Sequence, residues 1–159
     1  MTRSRRLRRS ALAGVLAAAL TMGLVAGTPS VGVASPEGKL LRIVNRVRDR
    51  HGLHTLRPNL RLSVDAERHT RNMIRQAKLY DPPDLARLLR PYDWKRVGAS
   101  ASGCNASLRG LVRAWMAHGH HRDILLLPGL RSAGVGVVFE AGRSACGTDQ
   151  FWATAIMYG

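Results

Sequence analysis

The stretch Ala114 to Val137, AWMAHGHHRDILLLPGLRSAGVGV, constrains the chain most. It opens as the end of an apolar-periodic helix and reaches Gly119, where the periodicity predicts a break. It passes through Pro128-Gly129, a turn signal, and becomes a strand with glycines at 134 and 136. Any fold must therefore drop a helix into a sheet over one short connection. His118, His120 and His121 lie in that connection, half of the six histidines in the chain. A histidine cluster beside a chain break is the first candidate site. The competing reading is three solvated polar side chains at a frayed helix end, since no cysteine or carboxylate stands at metal-ligand spacing.

The N-terminus reads differently from the rest. Arg3, Arg5, Arg6, Arg8 and Arg9 precede the uncharged apolar run Ala11 to Gly27, and Gly32-Val33-Ala34 offers small residues for cleavage. This is the three-part pattern of a secretory signal peptide over residues 1–34, with cleavage after Ala34 or Ser35. A membrane anchor is the alternative, but about 17 apolar residues are short for a span. No permanent anchor is expected, and residues 35–159 form one domain with enough chain for a core. Five of the 25 Lys and Arg residues fall in the leader and none of the ten acids, so the remainder carries a formal charge of +10. That charge favours anionic extracellular surfaces. The cations are dispersed without a long tract, and export argues against nucleic acid. Secretion also places Cys104 and Cys146 in an oxidising compartment, where they can pair. Closing a loop of about 43 residues would stabilise the fold by roughly 4 kcal/mol on a chain-entropy model.

Along the remainder, Pro36 to Gly52 predicts a helix with Leu40, Ile43, Val44 and Val47 on its apolar face, stopped by Gly52. A second helix is expected from about Leu62, with Ser63 as N-cap and Leu62, Ala66, His69, Met73 and Ala77 facing inward, running out at Lys78-Leu79-Tyr80. His69 is expected to be a core histidine bonded within the fold. Asp81-Pro82-Pro83 stops helical structure, and Asp84 caps a short helix from Leu85 to Leu89. Val97 to Gly103 is either a strand hugging another element or a loop. Ser107 caps a helix carrying Leu108, Leu111, Val112, Trp115 and Met116. Ala133 to Glu140 and Gln150 to Tyr158 alternate as strands, joined by a loop over 141–149 that carries Cys146. The order predicts an α+β domain, a small antiparallel sheet flanked by helices.

The blocks LLRIVNRVRDRHGLHTL, SVDAERHTRNM, VGASAS, AWMAHGHHRDILLLPGLRSAGVGV and FWATAIMYG fall in an order that resembles the CAP superfamily. This is the group of cysteine-rich secretory, antigen 5 and pathogenesis-related proteins, and the likeness is to its short secreted bacterial members over about residues 38 to 159. The resemblance implies a three-layer α-β-α sandwich. It also implies a cleft in which many members set two histidines and two acids able to hold a divalent metal. Those four positions fall at Asp81, Ala99, His118 and His121, and only His121 keeps the family's residue type. Ala99 removes one ligand and the general base, so Asp81, His118 and His121 are the three side chains left for zinc. His120 is expected to point away from them. Arg122 is expected to bond free helix carbonyls or to pair with Asp123. Trp115, Phe151 and Trp152 are read as core.

The altered tetrad favours a monomeric, secreted, non-enzymatic domain without a cofactor. Its expected partner is an anionic or apolar extracellular ligand: a lipid, a sterol or a cell-envelope polymer. The alternative is a metal-assisted hydrolase or protease that uses Asp81, His118 and His121 to activate water. No GxSxG elbow or free thiol nucleophile competes with these readings.

Overall fold

Ser35 begins the part of the chain described in this computed structural model, which covers residues 35–159; the leader expected over 1–34 lies outside it. Helix α1 spans Pro36–Arg50 and is capped by Ser35, whose Oγ accepts from Gly38 N at 3.1 Å. The remaining elements are β1 Arg57–Pro58, α2 Leu60–Arg75, α3 Leu85–Leu89, β2 Gly98–Asn105, α4 Leu108–Ala117, α5 Gly119–Leu125, β3 Ser132–Ser144 and β4 Gly147–Tyr158. The four strands make one sheet in the order β1-β3-β4-β2. The sheet is antiparallel as expected, except that the two-residue β1 adds to the β3 edge in parallel.

Strand alternation divides the core. On β4, Ala153, Ala155 and Met157 face α1 and α4, where they join Leu40, Val44, Leu111, Val112 and Trp115. Ile156 faces the other side and packs with Leu62 and Ala66 of α2 and with Leu89 and Tyr92. The result is helices on both faces of a sheet, the three layers that the resemblance implied. A Cβ on Gly134 or Gly136 would overlap the backbone of Leu62 or of Ala66 and Glu67, so the glycine pair lets α2 lie directly on β3. Gly103 does the same for α4 on β2: a Cβ there would meet Trp115 Nε1 at 2.7 Å. Val97 to Gly103 is thus the close-packed strand rather than the loop.

Three boundaries differ from the sequence reading. The N-cap of α2 is Asn59, whose Oδ1 accepts from Leu62 N at 3.0 Å. Ser63 lies inside the helix; its Oγ donates to Asn59 O and accepts from Val135 N at 3.1 Å, tying α2 to β3. At the far end α2 stops at Arg75, and Ala77 turns to φ 48° and is exposed rather than facing inward. The 141–149 loop is mostly strand: β3 and β4 pair as far as Ser144 and Gly147, with an irregularity between Glu140 and Arg143. Cys146 sits in the turn and is disulfide-bonded to Cys104 at the end of β2.

Candidate functional site

The site is built where the sheet's β2 edge meets the α2–α3 connection and the α4–α5 corner. Helix α4 ends because His118 takes extended backbone, φ −91° and ψ 114°. The break therefore falls at His118, and Gly119 starts the next helix rather than ending the last one. A Cβ at Gly119 would meet no other atom within 4 Å, so the turn does not depend on glycine there. His118 and His121 nevertheless come together across the corner, with ring centroids 4.9 Å apart. His120 is exposed, and its ring lies 5.8 Å from that of His121.

Burial lowers the pKa of His121 from the ordinary histidine value. The Asp81 carboxylate opposes this by favouring the charged ring, and the neighbouring His118 and His120 add to the lowering. Asp81 is thus close enough to be felt electrostatically. Its Oδ1 is buried without a hydrogen-bond partner from the protein. Ala99 lies on β2 opposite Met157 and is 5% exposed. The corner therefore holds one carboxylate and two imidazoles, while Ala99 belongs to the buried core.

The donor set was tested against a divalent metal. An ion of this kind needs three or four ligands converging within about 2.0–2.3 Å of one point. Among the described residues, no three His, Cys, Asp or Glu side chains are gathered in that way. In this arrangement the corner's donors do not converge on a single ion.

The surrounding residues have structural partners. His69 is buried, contacts Tyr80 O through Nε2 at 2.7 Å and meets the Tyr80 ring edge-on. This is the core role expected of it, and it holds the backbone next to Asp81. Arg122 lies 3.4 Å from Asp123. Trp115 and Trp152 are core residues, and Trp115 Nε1 donates to Ser102 O at 3.1 Å. Phe151 is half-buried and packs against exposed Phe139.

Arg48 was missed from sequence. It is 0% exposed, and among the described residues it forms no ion pair. Its Nε donates to His54 O at 2.9 Å, and Nη1 donates to Leu125 O at 2.6 Å and Leu127 O at 3.2 Å. Nη2 reaches Leu130 O at 3.5 Å. These carbonyls end α5 and line the Pro128-Gly129 turn, so Arg48 caps the helix from below. Burial, and then the charge of Arg131, lower its pKa. The guanidinium stays charged because arginine's starting value is so high. One signal could have revealed it: Leu41, Val44 and Arg48 stand at i, i+3 and i+7, a cation on an apolar stripe.

A helix-covered sheet with a polar corner where α4 gives way to α5 defines an α-β-α sandwich domain. The family model described as "Cysteine-rich secretory protein family", named CAP, matches residues 41–156, and the chain belongs to that family. Solved structures share the fold. An extracellular protein with an SCP domain from Bacillus anthracis superimposes with a TM-score of 0.61 at 19% identity, over 77% of this chain and 40% of that one. An outer surface protein of Borrelia burgdorferi gives 0.62 at 12% identity, over 80% and 96%. A cysteine-rich secretory protein of Staphylococcus aureus gives 0.52 at 22% identity, over 76% and 38%. The chain thus spans about two fifths of the Bacillus and Staphylococcus proteins. No curated protein matches it.

Proposed function

We propose that this is a secreted, non-enzymatic CAP-domain protein whose corner at Asp81, His118 and His121 takes an anionic or apolar extracellular ligand. The observation that carries the reading is Ala99: a buried methyl stands at the position where the family resemblance puts a carboxylate that could act as base and ligand. What remains around it is a place for recognition. Two imidazoles can donate to an anion, and the charge of Asp81 favours the protonated, donating form of His121. Export rests on the signal-like leader and agrees with the Cys104–Cys146 disulfide. Among the described residues no helix is long and apolar enough to cross a membrane.

Calorimetric titration of the purified protein with zinc tests this, with the His118→Ala/His121→Ala double variant as control. The expected result is no stoichiometric binding. One zinc per chain, lost in the double variant, would replace this reading with the metal-assisted hydrolase, with Asp81 as third ligand.

A further inference from the structure

A second surface lies away from the corner, in the groove between α1 and α4. The groove encloses about 430 Å³. Its walls carry Arg46 and Arg50 from α1 and Arg109 and Arg113 from α4, over a floor of Ile43, Val47, Val112 and Met116. Each arginine pair is spaced i, i+4, which sets its members about 6 Å apart along the helix axis. A smaller hollow of about 260 Å³ shares Arg109 and adds Lys39, extending the groove toward the start of both helices. No acidic residue lines either hollow. The ion pairs among the described residues involve Arg68, Arg71, Lys95 and Arg122, so the four groove arginines have no carboxylate partner. Two rows of like charge facing across a groove repel one another, and a multivalent anion laid between them relieves that repulsion.

The lining narrows the anion's chemistry. Guanidinium groups match phosphate oxygens with paired, charge-assisted hydrogen bonds. All four groove cations are arginine. The floor offers only a narrow apolar strip to an acyl chain: Ile43 and Val112 are already 8% and 2% exposed, which leaves the half-buried Val47 and Met116 to be covered. No aromatic side chain lines the groove, so nucleobases have no stacking platform. We infer that the α1–α4 groove binds a linear phosphodiester polymer with a polyol backbone, of the kind found in cell envelopes, at a site separate from the Asp81–His121 corner.

The probe is a synthetic glycerol-phosphate oligomer, with oligothymidylate and neutral dextran as comparators. One variant neutralises the groove, Arg46→Gln/Arg50→Gln/Arg109→Gln/Arg113→Gln. A second removes the same charge from exposed positions elsewhere, Arg75→Gln/Arg90→Gln/Arg96→Gln/Arg143→Gln. Glutamine keeps helix propensity, and circular dichroism checks folding. The groove variant is expected to bind the oligomer at least about tenfold more weakly. Its slope of log affinity against log salt should shrink by about 3, while the scattered variant stays close to the parent. Amide shifts on adding oligomer to the parent protein should map to α1 and α4. Equal losses in the two variants would overturn the inference in favour of diffuse attraction to net charge. Tighter binding of oligothymidylate, or shifts confined to α5, would overturn it as well. The zinc titration at the corner is independent of each of these outcomes.

Discussion

The upper and lower sides of the segment from His118 to Arg131 have opposite characters. Above, His118 and His120 are exposed, His121 is half-buried, and none of the three rings is fixed by a protein hydrogen bond among the described residues. Below, Leu125, Leu127 and Leu130 surrender their carbonyls to one fully buried guanidinium from α1. The lower side is over-determined, and the upper side is free to vary. The difference separates the side of the stretch that carries the fold from the side that is open to change. Its geometry is held by Arg48, Leu125 and Leu130, and by the glycines that seat α2 on β3. The histidine side can exchange an acid for His118 without disturbing any of these contacts.

The largest expected effect would sharpen this contrast from below. Arg48→Met keeps a long apolar stem but leaves four carbonyls without their donor, and about 4 kcal/mol of stability should be lost. Urea unfolding measures it, and a loss under about 1 kcal/mol would mean that water replaces the guanidinium without penalty. A smaller effect comes from His121 through pH. Its folded-state pKa lies below the unfolded value, so the unfolded chain binds more protons as pH falls through about 6.5, the ordinary histidine value. Stability should therefore decline with acidification from that point and level off once the folded protein also protonates. In His121→Gln this part of the pH dependence should disappear from thermal melts, and an unchanged profile would refute the assignment. The smallest effect is expected on top. His118→Ala should change stability by no more than about 0.5 kcal/mol. A larger loss would show that the upper side is as constrained as the lower and would break the comparison.

Periodicity placed α1, α4 and the central parts of β3 and β4 because their apolar spacing is local and uninterrupted, and the Asp84 cap placed α3. Where it misjudged, a contact distant in sequence had decided the matter. Ser63 reads as a cap by residue type, yet its hydroxyl is used to join α2 to Val135, and Asn59 caps the helix instead. The 141–149 segment reads as a loop because of its glycines, yet strand pairing continues through it to a turn at Cys146. The four positions of the candidate site were reached through family resemblance, and the fold brings His118 and His121 together despite a helix break between them. The α1–α4 groove was not legible at all. Its arginines lie in two segments of chain that only packing sets side by side.

The sequence by itself determined an α+β domain with helices covering a sheet, because alternation and 3.6-residue spacing state which side of each element must leave water; the three layers came from the family resemblance. The sequence also determined that position 99 offers no side-chain donor, because alanine carries only a methyl group. Only the tertiary structure decided what the charged residues do. Arg48 and Arg46 stand two residues apart on the same helix; one is sealed against the end of α5 and the other lines an open groove. A guanidinium can be paid for by backbone carbonyls as readily as by water, and which of the two it meets depends on what packs against that turn of the helix. The same holds for the Ala114 to Val137 stretch. Its residues announce a corner between helix and sheet, but whether that corner is held from beneath or works from above depends on an arginine some seventy residues earlier in the chain.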